Sequence, residues 1–121
     1  MNDIKRVATD PRRSRAVVYN GIVFIGGQTC DDRSQDIKGQ TRQALAKIEK
    51  FLADAGTDKS RLISAQIWMA DIRRDVAGMN EIWDAWTAPS AAPTRATAQV
   101  TFASHDLLVE IQVTAAVAPA S

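Results

Sequence analysis

The sequence predicts an α+β fold in which two helices cover one face of a mixed β-sheet. Three observations lead there. Apolar residues recur at helical spacing over 36–55 and again from about 73 to 86, and the stretches around them alternate with period two. An Asn20-Gly21 pair between 16–19 and 22–25 marks a tight hairpin, whose turn needs positive φ angles. The resulting order is strand, strand, helix, strand, helix, strand, strand, which leaves one face of the sheet without a helix. That face has to meet something outside the chain, and a closed homo-oligomer is expected.

Taken in order, residues 1–15 are polar, contain Asp10-Pro11 and read as an extended arm feeding the first strand. Arg12-Arg13-Ser14-Arg15 within it is either a solvated segment or a rim of positive charge over an anion site. The second strand runs into Gly26-Gly27-Gln28, where paired glycines mean a bulge or the close approach of a backbone or ligand. In the polar loop 29–35, Cys30 reads as an inert, partly covered thiol, because no histidine or basic cluster stands near it to lower its pKa. Ile37, Thr41, Ala44, Leu45, Ile48, Phe51, Leu52 and Ala55 line one side of the first helix, and Gly56 stops it.

Residues 62–69 form a strand with Ile63, Ala65, Ile67 and Met69 on one face and Ser64, Gln66 and Trp68 on the other. The second helix starts at Arg73 or Arg74 and carries Val76, Met79, Ile82, Trp83 and Trp86 as its apolar stripe. Its tryptophans read as packing rather than as a ligand platform. Residues 93–102 and 107–113 are expected to pair as a second hairpin, Ala98 opposite Ile111 and Val100 opposite Val109, since a slip of one residue would mix the faces. One face of that hairpin is then a core surface. The other bears Arg95, Thr97, Gln99, Thr101, Glu110, Gln112 and Thr114, and it puts Arg95 and Glu110 on one side of the sheet, offset by ~13 Å.

Composition excludes several classes. A chain of 121 residues, 45% hydrophobic, supports a single domain over 1–121. The net charge is +1 with both signs interspersed, so nucleic acid and an anionic membrane are disfavoured as partners. No apolar run approaches the ~20 residues of a membrane span, and Met1-Asn2-Asp3-Ile4-Lys5-Arg6 lacks the apolar core of a signal peptide, so a cytoplasmic protein is expected. One cysteine and one histidine, Cys30 and His105, rule against a disulfide framework, a metal centre and a Ser-His-Asp triad. No cofactor is called for. Chemistry falls to carboxylate, guanidinium, hydroxyl, amide and backbone groups.

Several segments together resemble the RidA/YjgF family over almost the whole chain: Gly21 with Val23-Phe24-Ile25-Gly26-Gly27-Gln28, Gln40-Thr41-Arg42-Gln43-Ala44-Leu45, Met79-Asn80-Glu81-Ile82-Trp83, Pro93-Thr94-Arg95, and Leu108-Val109-Glu110-Ile111. The resemblance implies a chorismate mutase-like (YjgF-like) fold, a homotrimeric barrel and clefts at the subunit interfaces. It implies hydrolysis of reactive enamine and 2-imino acid intermediates to 2-oxo acids and ammonia, as by a 2-iminobutanoate/2-iminopropanoate deaminase. In that scheme Arg95 grips the substrate carboxylate, Glu110 holds or activates water, Gly27 is the glycine after the second strand and Asn80 lines the cleft. Thr97 stands where many members have cysteine, Gly26 where serine is frequent, and Arg13 where the best-studied members carry tyrosine.

The residue types suit the chemistry. A guanidinium meets a carboxylate with a planar donor fork, which lysine lacks, and an anchored substrate turns attack by water into a nearly intramolecular step. Glu110, flanked in the expected register by Gln99 and Gln112, suits a general acid or base. Two other classes stay open: a non-catalytic carboxylate-binding or regulatory trimer, and, more weakly, a ribonuclease.

Overall fold

A computed structural model describes residues 3–119. Six strands, β1 (Lys5–Thr9), β2 (Ser14–Tyr19), β3 (Ile22–Gln28), β4 (Leu62–Met69), β5 (Thr94–Gln99) and β6 (Val109–Ala116), make one sheet in the order β1-β2-β3-β6-β4-β5. Only β4 and β5 run parallel. Parallel neighbours need a long crossover, and the helix α2 (Ile72–Trp86) supplies it. The other helix, α1 (Ile37–Asp54), connects β3 to β4.

Local chemistry sets these boundaries. Asn20 and Gly21 take φ of 56° and 81°, so the β2–β3 hairpin closes with Tyr19 opposite Ile22. Asp36 caps α1 by accepting from the Gly39 amide at 2.9 Å. At the other end Thr57 N donates to Leu52 O and Gly56 N to Ala53 O, the paired bonds of a glycine-terminated helix. Asp71 caps α2 through the Arg74 amide, so this helix begins slightly earlier than its apolar stripe suggests.

Both helices pack on one face of the sheet. Ala44, Leu45, Ile48, Leu52, Met79 and Trp83 meet Val23, Ile25, Ala65, Ile67, Met69, Val109, Ile111 and Val113 in one continuous core. Each fully buried aliphatic side chain there contributes about 1.5–3 kcal/mol of transfer free energy. The central place of β6 follows from its pattern: Val109, Ile111, Val113 and Ala115 are all buried, while the residues between them are half-exposed.

Three expectations are corrected. The N-terminal arm is a strand: β1 pairs with β2 along Lys5↔Val18 to Thr9↔Ser14. It is an exposed edge whose Val7 packs against the core, so its sequence carries almost no apolar alternation. Residues 93–102 and 107–113 do not form a hairpin, because β5 pairs with β4 and β6 lies between β3 and β4. In place of Ala98 opposite Ile111, Ala98 aligns with Trp68 and Trp68 with Glu110. Finally, a register shift between Leu62 and Ser64 turns Ile63 outward, and Leu62 packs on the core side instead.

Candidate functional site

The strand register divides the predicted site residues between the two faces. Arg95, Thr97 and Gln99 align with Ala65, Ile67 and Met69, the buried row of β4, so they share the helix-covered face. Glu110, Gln112 and Thr114 align with Trp68, Gln66 and Ser64, the opposite row. The single polar face expected from alternation is therefore two half-faces. Arg95 and Glu110 are not on one side of the sheet, and Gln99 does not flank Glu110.

On the helix side, Arg95 stands exposed on edge strand β5 beside α2. Its Nη1 donates to Asn80 Oδ1 at 2.8 Å, and its guanidinium carbon lies 5.7 Å from the centroid of the buried Trp83 ring. Asn80 and Trp83 are three apart on α2 and so share a side of the helix. The pair fixes the guanidinium plane by one acceptor and one aromatic face, leaving further donors of the fork for a ligand. Thr97, next along that face, has a buried Oγ1 with no partner among the described residues. An orphaned hydroxyl of this kind costs stability unless something else bonds to it.

Two residues of this cluster were not singled out as functional by sequence reading. Trp83 reads as packing, which it does, yet it also underlies Arg95 and meets Trp86 in a tilted contact, ring centroids 5.4 Å apart and planes inclined by 43°. Gln99 Oε1 accepts from the Ile72 amide at 3.0 Å, which ties the start of α2 to the end of β5. The spacing of Asn80 and Trp83 was available in the sequence, but only the β4–β5 pairing brings Arg95 to them.

On the open side, the half-buried Glu110 lies against Gly27. Of the two alternatives for the paired glycines, a bulge or the close approach of a backbone or ligand, the bulge occurs, and what comes close to Gly27 is a side chain, Glu110. The β3–β6 register shifts between Ile25 and Gln28, and a Cβ built on Gly27 would fall 2.9 Å from Glu110 Cδ and nearer still to Oε2. Any side chain at 27 would displace the carboxylate. Gln28 is buried and folds back to donate to Gly26 O at 3.1 Å. The same open face continues through Gln66, Gln112 and the Ser64–Thr114 hydroxyl pair at 2.6 Å, around a shallow cavity of about 340 Å³.

The remaining predicted features are placed as follows. Cys30 is buried, and burial pushes its thiol above the ordinary range, as suits an inert thiol. The Arg12–Arg15 segment spans the end of the β1–β2 turn and the start of β2. There Asp10 accepts from the Arg15 guanidinium at 2.5 Å and from the amides of Arg12 and Arg13 at 2.8 and 3.0 Å. These bonds, that from Arg15 first, hold the Asp10 carboxyl down at about 2. No described helix is long and apolar enough to cross a membrane.

Comparison with known proteins agrees with this architecture. The family model described as Endoribonuclease L-PSP matches residues 4–117. A RutC family protein of Haemophilus ducreyi is 41% identical over 114 residues, covering 94% of this chain and 97% of that protein. A crystal structure of a YjgF family member from Neisseria meningitidis superposes with a TM-score of 0.94 at 37% identity, covering 98% of each chain. Reactive Intermediate Deaminase A, a chloroplastic protein of Arabidopsis thaliana, is 30% identical over 105 residues, 82% of this chain and 55% of that one.

Proposed function

The chain belongs to the Endoribonuclease L-PSP family, and on that premise we propose that it hydrolyses 2-imino acids, formed from their enamine tautomers, to 2-oxo acids and ammonia. The reaction takes place in clefts between the copies of a homotrimer. The observation that carries this reading is the division of the site: Arg95 with Asn80 and Trp83 on one face, Glu110 with Gly27 on the other. A carboxylate clamp and an acid–base group on opposite faces of one sheet can serve one substrate only if two copies supply them. Arg95 is exposed on an edge strand, where the helix-free face of a neighbouring copy can reach it.

The chemistry asks little of the protein, since the substrate is already electrophilic. Arg95 clamps the carboxylate bidentately while Asn80 and Trp83 keep the guanidinium still. Glu110 of the neighbouring copy accepts a proton as a water oxygen bonds to the imine carbon, and it passes that proton to the nitrogen, giving a neutral carbinolamine. The carbinolamine then collapses: Glu110 takes the hydroxyl proton and delivers it to the departing nitrogen, the C=O bond forms as the C–N bond breaks, and 2-oxo acid and ammonia result. One imine and one water are consumed, and no cofactor enters. The name of the Arabidopsis relative supports the reaction class.

Arg95→Ala tests the reading with imino acids generated in situ by an amino-acid oxidase. A loss of about a hundredfold in turnover with the oligomer intact is expected, and unchanged turnover would overturn it. A second reading has its own observation: the Arg95–Asn80–Trp83 clamp is complete within one chain, as a non-catalytic carboxylate binder would need. Such a binder would bind 2-oxo acids and accelerate nothing in the same assay. The near-neutral charge gives a ribonuclease little to hold RNA with.

A further inference from the structure

The β1–β2 turn and the first residues of β2 carry three arginines and one carboxylate, and the carboxylate is already committed. Asp10 takes up the Arg15 guanidinium and the backbone amides of Arg12 and Arg13, its own amide donates to Arg13 O at 2.8 Å, and Thr9 and Ser14 share a hydroxyl bond at 2.7 Å. The turn is thereby held in one conformation. The Arg12 and Arg13 side chains are exposed and have no carboxylate partner among the described residues. A backbone held in this way keeps the Cα positions of both arginines, and so their two charges, at one corner of the sheet, which a floppy basic arm would not do.

Its location gives that charge a use. The turn lies at the end of β2 that adjoins the Gly26-Gly27 bulge: a Cβ on Gly26 would lie 3.5 Å from Ser14 O and 3.6 Å from Arg15 O. The next residue, Gly27, is the one against the Glu110 carboxylate. Glu110 is the second residue of β6, at this same end of the sheet, aligned with Trp68 near the end of β4. The cations therefore stand at the Glu110 end. Arg95 lies near the start of β5, toward the opposite end. A substrate whose α-carboxylate is held by Arg95 of a second copy and whose imine carbon faces Glu110 has its side chain among the groups around Glu110.

From this we infer that Arg12 and Arg13 form a second anion subsite which makes the site selective for dicarboxylic 2-imino acids. The inference rests on the deaminase reading above for its reaction, though not for its binding selectivity. Guanidiniums in open water discriminate weakly, so the preference arises where the turn and the cleft wall hold the second carboxylate together. A monocarboxylic imino acid would meet only Arg95.

The test compares kcat/KM for imino acids generated by oxidases from glutamate and from 2-aminobutanoate, using the full oligomer. Wild type is expected to favour the dicarboxylic substrate at least tenfold, with R12A and R13A each eroding that ratio and the double R12E/R13E change reversing it. Equal turnover of the two substrates by wild type would overturn the inference, as would variants that depress both equally. Should neither substrate turn over, the deaminase reading fails, and calorimetry with 2-oxoglutarate and 2-oxobutanoate still decides the subsite. Tighter binding of the dicarboxylate that disappears in R12A and R13A supports it, and equal binding overturns it.

Discussion

Arg95 aligns with Ala65 and Glu110 with Trp68 on the intervening strand β4, so the two side chains leave opposite faces of one sheet. If substrate is bound between copies, each site takes its arginine from one chain and its glutamate from another. Arg95→Ala and Glu110→Gln proteins are each expected to be nearly inactive alone. Refolded together in equal amounts, they should recover about a quarter of wild-type turnover, because about a quarter of all interfaces then join an intact arginine to an intact glutamate. Absence of recovery, with mixed oligomers demonstrated by mass spectrometry, would place both residues in one chain's site or in none.

Gly27→Ala puts a methyl group where the Glu110 carboxylate lies. The obstruction is the end of a flexible side chain rather than backbone, so Glu110 swings away and the fold survives. Steady-state kinetics should show kcat falling about tenfold or more, since misplacing an acid–base group is costly. The thermal midpoint should move by only a few degrees. A large loss of stability with kcat preserved would mean that Gly27 serves packing rather than the placement of Glu110.

Thr97→Val removes a buried hydroxyl that has no partner among the described residues. Replacing an unsatisfied polar group by an apolar one of similar shape is expected to be neutral or to stabilise by up to about 1 kcal/mol in urea denaturation. If Thr97 bonds to substrate, kcat/KM falls in the same variant. Opposite signs for stability and activity would mark it as a binding residue. A fall in stability would show instead that its hydroxyl is satisfied in the assembled protein.

The pinned turn makes a prediction in pH. The folded Asp10 carboxyl is held at about 2, below its ordinary 3.8, by Arg15 and the Arg12 and Arg13 amides. A depressed folded value means that the contribution is present above about 4 and is lost as pH falls toward about 2. The Arg12 and Arg13 amide resonances should therefore titrate with a midpoint near 2, and Asp10→Asn should abolish that titration. A midpoint near 3.8 would mean that the turn is not braced.

What could be read directly from the chain was local. Asn20-Gly21 closes its hairpin, Gly56 ends α1, the apolar spacing marks both helices, and the Ser64-Gln66-Trp68 row of β4 lies on the open face as expected. Each depends on residues within a turn or two of one another. The strand β1 escaped notice because an exposed edge needs no apolar alternation. The pairing of β5 escaped for another reason: residues 100–108 separate it from β6 without a tight-turn sequence, and its alanines and threonines suit an edge beside any strand.

The candidate site divides along the same line. Its residue types were legible: an arginine to hold a carboxylate, a glutamate to move a proton, a glycine at the end of β3. Their arrangement was not, because alternation specifies two faces for each strand but says nothing about which neighbour that strand will have, or which of its faces will match the neighbour's core side. The α2 crossover makes β5 parallel to β4, and that register turns Arg95 toward Asn80 and Trp83. The antiparallel place of β6 between β3 and β4 turns Glu110 toward Gly27 on the other side. Sequence thus determined the chemical groups through local composition and period, whereas the separation of Arg95 from Glu110 was decided by long-range strand pairing, which depends on how the whole core packs.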